Sequence, residues 1–228
     1  MSRPDDEPEQ GSRLSETTRV EAFSDGVFAI VITLLVLDLQ NPAHTPGGLL
    51  SALAAQWPSY LAFFMSFVYV GVIWLNHHAL FQRIGHVDRG LHWVNLGILL
   101  GAVVMPFPTA ILAEALAQDA TGRDAQVAVA LYAIAAALMS ATWWAAFRYL
   151  RSRPHLWEPD VEPSYMQAQR FRPLTGMALY TISGLAGWLV SPWAGMTCIM
   201  IMIVYHAVTS EGLPARGVKR RPRRSRPA

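Results

Sequence analysis

From Val27 to Leu37 the chain carries no charge and, apart from Thr33, no polar side chain. Such a run is cheap in hydrocarbon and costly in water, and it is one of six. A helix that crosses a bilayer needs about 20 largely apolar residues at roughly 1.5 Å rise each. Candidate spans fall at residues 19–40, 54–77, 91–113, 125–149, 172–190 and 193–209. The Ser191-Pro192 break makes the turn between the last two tight. Charged residues are only 15% of the 228 and crowd between the runs, whereas a soluble domain carries about a quarter. The expected fold class is an all-α integral membrane protein with six transmembrane helices. The single cysteine, Cys198, sits inside an apolar run, so no internal disulfide forms. The polar, acidic first sixteen residues are no secretory signal and read as a disordered cytosolic lead. A membrane domain over 17–210 and a basic disordered cytosolic tail over 211–228 complete the expected organisation.

The basic residues orient the spans. On one side lie three in the N-terminal segment, Arg83 and Arg89, five in the connection from Arg148 to Arg172, and seven in the tail. The other side has Arg123 alone. Lysine and arginine collect on the cytosolic side, so both termini are expected there and the number of spans is even. The tail RGVKRRPRRSRPA reads first as a solvated stop that fixes this topology, rather than as a nucleic-acid or anionic-lipid patch. No nucleic-acid partner is expected. Most of the tryptophans, such as Trp57, Trp93, Trp143 and Trp188, lie near span ends, as an interfacial aromatic belt requires.

The root of the first span is unusual. Ser24 and Asp25 precede Gly26 where the apolar run begins. At about 100° per residue, Ile30, Leu34 and Leu37 form one stripe, and Asp25 points roughly 140° away from Ile30. An ionised carboxylate costs about 2.5–3.5 kcal/mol near a helix centre on insertion scales, and less near an end. Asp25 therefore needs a partner. Arg19, Asn76, His77, His78 and Asn95 all lie at a similar depth under this topology. A cytosolic-side polar cluster tying the first three spans together is the economical reading. Two roles stay open for Asp25, a structural clamp and a proton or ion relay. No metal site is expected at His77 and His78, because adjacent helical residues point about 100° apart. One of the two is expected to bond Asp25.

Periodicity alone leaves the stripe open too. It suits ordinary packing or lipid contact, and it also suits a hydrophobic constriction that gates a pore by excluding water.

A resemblance bears on the choice. The run Arg19-x-x-x-Phe23-Ser24-Asp25-Gly26 followed by AIVITLLVLDL resembles the opening helix of bacterial members of the transmembrane protein 175 family, the prokaryotic relatives of the lysosomal potassium channel. WLNHH at 74–78, Val94-Asn95-Leu96 and Pro106-Phe107-Pro108-Thr109 agree with it, over roughly residues 15–210. The resemblance implies a homotetramer in the cell membrane, with the first helix of each subunit lining a central pore. It implies that Arg19 and Asp25 hold the first three helices together, that Ile30, Leu34 and Leu37 narrow the pore, and that Thr33 bears on potassium preference. The implied function is passive potassium conduction without a cofactor, with sodium and protons as further candidate permeants. No TVGYG-like filter occurs in the chain, so selection through such a neck is expected to be modest.

The chief alternative is a proton- or ion-coupled transporter using Asp25 and a second-span histidine. Transporters commonly carry paired repeats, and no second FSDG occurs in the later spans. An enzyme is not expected: there is no G-x-S-x-G and no H-E-x-x-H.

Overall fold

The computed structural model describes residues 7–39, 41–161, 169 and 171–209. The expected basic tail, Arg170 and the first six residues of the expected lead lie outside the described residues. Helix α1 runs Glu7–Leu34 and passes into a 3-10 turn at Leu35–Asp38. It is followed by a short α2 (Leu49–Ala55), α3 (Trp57–Phe81), α4 (Arg89–Val104), α5 (Pro106–Asp119) and α6 (Arg123–Arg151). A 3-10 turn at Pro154–Leu156 precedes the last pair, α7 (Arg172–Leu189) and α8 (Pro192–Val208). Helix α1 thus starts before the span expected from residue 19, within the stretch expected to be a disordered lead.

Four stretches are long and apolar enough to cross a membrane: Glu16–Leu37, Trp57–Phe81, Arg89–Asp119 and Arg123–Arg151. Helices α7 and α8 have 18 and 17 residues. At 1.5 Å per residue they reach about 27 and 26 Å, slightly short of a hydrocarbon core of ~30 Å.

The third span is not one helix. It breaks at Met105 into α4 and α5, because Pro106 and Pro108 have no N–H to give the preceding turn. The carbonyl of Ala102 is met instead by the Met105 N–H at 3.0 Å. The carbonyl of Met105 takes the hydroxyl of Thr109 at 2.7 Å. That hydroxyl belongs to a buried chain crossing three helices. Because Thr109 donates to Met105, its oxygen accepts from Ser66 (2.7 Å), whose own oxygen accepts from Tyr132 (3.0 Å). Each group in the chain is satisfied, as groups buried away from water must be.

Helix α1 packs on α3 and α4, α4 on α6, and α6 on α7, with α8 closing against α7 and α3. The main core joins all of these. A smaller cluster of Leu80, Phe81, Ile84, Leu91, Phe147, Leu150 and Leu156 caps the end that carries the Arg83–Arg89 loop. There the N–H groups of Gly85 and His86 bond the carbonyl of Leu156, and Glu158 N–H bonds Arg83. Asp88 caps α4 by accepting the Leu91 N–H at 2.7 Å.

Candidate functional site

The two faces of α1 differ. Ser24, Phe28, Val31 and Leu35, spaced by four, three and four residues, are buried against the bundle. On the opposite face Ile30, Leu34 and Leu37 are 60%, 41% and 68% exposed. Phe23, Gly26 and Thr33 lie on the exposed side with them. The 3-10 turn matters here. In a 3-10 helix residues i and i+3 eclipse, so tightening after Leu34 keeps Leu37 in line with it rather than letting it drift around the axis. The Thr33 hydroxyl donates to the carbonyl of Ile30 at 2.8 Å. Its only proton is thereby used, and the lone pairs of an exposed hydroxyl remain to accept.

Behind the stripe is a directed chain of hydrogen bonds. Ser24 Oγ donates to the carbonyl of Val20 at 2.8 Å, one turn back on α1. With its proton spent, Ser24 accepts from Asn95 Nδ2 of α4 at 2.9 Å. This fixes the amide, so Asn95 Oδ1 faces His77 Nε2 of α3 at 2.8 Å. An acceptor there requires that His77 carry its proton on Nε2. All three side chains are buried. His77 is further held between the edge of Phe28 and the face of Phe81, with ring centroids 5.3 and 4.4 Å away. Three helices are thus locked in one register through Ser24, Asn95 and His77.

Asp25 takes a different partner from those expected. Its Oδ1 accepts the indole N–H of Trp74 at 2.9 Å. Trp74 lies one turn before the histidine pair, and its N–H within a span needs an acceptor. Neither histidine reaches Asp25: His78 Nδ1 lies 2.9 Å from Glu21 Oε1, and its Nε2 lies 2.9 Å from the amide of Gln82. Adjacent residues on one helix thus serve separate partners, as their angular separation demands. Arg19 is exposed, about 9 Å along the helix from Asp25, and makes no hydrogen bond or ion pair among the described residues. Asn76 turns away as well, donating to the carbonyl of Val72 at 2.8 Å and facing a cavity on the far side of α3. Among the described residues no cluster of side chains is arranged to hold a metal ion.

Residues 19–106 match the family described as endosomal/lysosomal potassium channel TMEM175. A potassium channel of Streptomyces collinus is 40% identical over 205 residues, covering 89% of this chain and 97% of that one. A potassium channel of Chamaesiphon minutus is 37% identical over 213 residues, with the same shares covered. The bundle superposes with a TM-score of 0.74 on the crystal structure of a lysosomal potassium-selective channel TMEM175 homologue from Chamaesiphon minutus. That match has 34% identity and covers 86% of this chain and 99% of the other.

Fold and site together define a helical membrane channel, not an enzyme. The buried seam and the open apolar stripe both fall within the matched residues. The chain belongs to the TMEM175 family.

Proposed function

We propose that four copies of this chain surround one axis in the cell membrane and that each turns the exposed stripe of α1 toward a potassium-conducting pore. Ile30, Leu34 and Leu37 form its neck. In this arrangement each subunit crosses the membrane six times, with α7 and α8 as a short peripheral hairpin and both termini cytosolic. The cytosolic placement is supported by seventeen of eighteen basic residues lying on one side.

The carrying observation is the exposure of a straight row of branched side chains on a helix whose opposite face is locked into the bundle. A locked helix cannot rotate to bury that row within its own subunit. Packed around a four-fold axis, the row makes an apolar neck that dewets when narrow and passes ions when it widens. Thr33, between Ile30 and Leu34, offers hydroxyl lone pairs to a partly dehydrated cation. Without a ring of backbone carbonyls, preference for potassium over sodium is modest, and protons are a further candidate permeant. Arg19, exposed on the same helix, is then placed to find its partner outside its own subunit. Ser24, Asp25, Asn95, His77 and His78 serve as the frame that sets the angle of α1.

The test is flux from vesicles containing the purified protein. Ile30→Asn and Leu34→Asn should each raise potassium leak severalfold and reduce discrimination against sodium. Unchanged conductance and selectivity in both variants would place the stripe in lipid and end this reading. Potassium should move down its gradient alone; a strict requirement for a second ion would turn the protein into a coupled carrier.

A further inference from the structure

An open groove of about 470 Å³ runs between α6 and α7. That volume falls within the ~300–1,000 Å³ usual for small-molecule sites. The floor is Ala133, Ala137 and Gly184, where the two helices come close: a Cβ added at Gly184 would lie 3.0 Å from that of Ala133. The rims are Ile134 and Leu138 of α6 and Leu185 of α7, each more than half exposed. Thr181 spends its hydroxyl proton on the Met177 carbonyl at 2.8 Å, so the exposed wall behaves as an apolar one. Trp188 and Met177 mark the two ends on α7, which at 1.5 Å per residue are about 16 Å apart. This is close to half of a hydrocarbon core of ~30 Å, the depth of one leaflet.

The Trp188 end is charged. Arg123, the lone basic residue on its side of the spans, lays its guanidinium over the Trp188 ring, 3.6 Å from the centroid. A guanidinium on a ring face keeps its N–H groups at its own edge, free to bond outward. One meets Gln126 Oε1 at 3.1 Å, and the rest have no acceptor among the described residues. Two carboxylates, Asp119 and Asp124, flank Arg123 along the chain, and neither pairs with it. The outer end of the groove therefore offers a cation with donors to spare and, beside it, two anions.

We propose that this groove seats one acyl chain of a zwitterionic phospholipid, with the lipid phosphate on Arg123 and its ammonium toward Asp119 and Asp124. Charge complementarity sets the choice of occupant. Read outward from Met177, the groove presents apolar wall, then guanidinium, then carboxylate, and such a lipid presents chain, phosphate and ammonium in the same order. A purely anionic headgroup has the phosphate but brings the two carboxylates no cation. The floor between two touching helices takes a single chain, and the second chain of the lipid stays in the bilayer. The placement rests on the reading that α1 faces the shared axis: α1 packs on α3 and α4, which leaves α6 and α7 toward lipid. With both termini cytosolic, Arg123 stands in the outer leaflet.

The purified full-length protein in detergent is titrated with dioleoyl phosphatidylethanolamine, and bound lipid is counted by native mass spectrometry. Dioleoyl phosphatidylglycerol keeps the phosphate without the ammonium, and dioleoylglycerol keeps the chains without either. Saturable binding of phosphatidylethanolamine is expected, severalfold tighter than that of phosphatidylglycerol, with none of dioleoylglycerol. Lysophosphatidylethanolamine should compete for it, since one chain fills the groove. Arg123→Gln should weaken binding about tenfold, as loss of one charge-assisted contact does. Ala137→Phe, which fills the groove from its floor, should abolish saturable binding while leaving the charged end intact. Where Ala137→Phe fails to fold, Arg123→Gln at the exposed start of α6 decides the matter. Equal retention of all the lipids, preference for phosphatidylglycerol, or undiminished binding to Arg123→Gln would overturn the proposal. So would Ala137→Phe if it altered the oligomeric state and left lipid binding intact, because a second copy would then occupy the groove. The count involves no flux, so this proposal can fail while the protein conducts potassium and can hold where it does not.

Discussion

The two halves of this bundle are held together by different physics. Helices α1, α3 and α4 meet through side-chain hydrogen bonds: Ser24 to Asn95, Asn95 to His77, and Trp74 to Asp25. Helices α6, α7 and α8 meet through the closeness of their backbones. A Cβ added at Gly195 would lie 2.7 Å from the Gly187 Cα and 2.7 Å from Val129 Cγ1, inside contact distance of both. Lipid tails are as apolar as leucine, so burying apolar surface does not by itself drive helices together in a bilayer. Tight packing of small residues and interhelical hydrogen bonds are the remaining means, and this chain spends one on each half. Hydrogen bonds fix register and rotation. Glycine contact fixes separation. The helix offered as pore lining sits in the half where rotation matters.

The sharpest way to break this division is to enlarge Gly195. Leucine there must displace the Gly187 backbone, and overpacking that shifts side chains and backbone costs about 1–3 kcal/mol, occasionally more. Gly195→Leu should therefore give the largest fall in unfolding midpoint in detergent. A midpoint equal to that of the unmodified protein would mean that α7 and α8 are not in backbone contact.

In the other half, Asn95→Leu should come next. It strands the Nε2 proton of His77, whose Nδ1 is already buried without a partner. An unsatisfied buried donor costs about 1–3 kcal/mol, although interhelical hydrogen bonds in membranes average nearer 0.6 kcal/mol. The distinguishing readout is rotational. Cysteine accessibility at position 30 should change in Asn95→Leu and stay constant in Gly195→Leu. The opposite pattern would reverse the roles assigned to the two halves. Trp74→Phe should be milder, about 0.5–1.5 kcal/mol, because Asp25 is only half-buried and water can replace the indole. A loss as large as that of Asn95→Leu would make the Asp25 contact an equal member of the seam.

Much of the first half was legible in the sequence, and for a physical reason. Polar residues inside apolar runs are conspicuous, and they must find each other at matching depth, so Ser24, Asp25, His77 and Asn95 could be grouped before any coordinates. The pairings within the group could not be read, since depth is a one-dimensional coordinate and rotation is not. Asp25 was expected to meet a histidine and meets Trp74 instead. The signal was present, because Trp74 sits one turn before the histidine pair, at the depth of Asp25, and an indole N–H within a span favours an acceptor. The second half was less legible. Gly187 and Gly195 look like ordinary span glycines until the approach of two backbones is known. Pro106 and Pro108 can break a helix, but nothing in the run shows that Thr109, Ser66 and Tyr132 satisfy the freed groups. The 3-10 tightening at Leu35 has no clear mark in a run of leucine and valine.

The weakest tie is the one that spans the two halves outside the apolar region. Asp88, capping α4, accepts the hydroxyl of Tyr149 on α6 at 2.8 Å, with Arg153 3.6 Å away. Its slight burial alone would raise its carboxyl pKa. The Leu91 N–H, the Tyr149 hydroxyl and the Arg153 guanidinium outweigh that and hold it below the ordinary 3.8. A carboxylate depressed in the folded state stabilises above its unfolded pKa, and that contribution disappears as the pH falls through the folded value. The tie is therefore fully present at neutral pH and is lost below about pH 3.8. Asp88→Asn keeps a good cap and a partner for Tyr149 while removing the charge. It should lower the midpoint slightly at pH 7 and by less at pH 3. An equal deficit at both values would mean that Asp88 acts through its shape as a cap and not through its charge. The link between the halves would then rest on packing and on the neutral Ser66–Tyr132 bond.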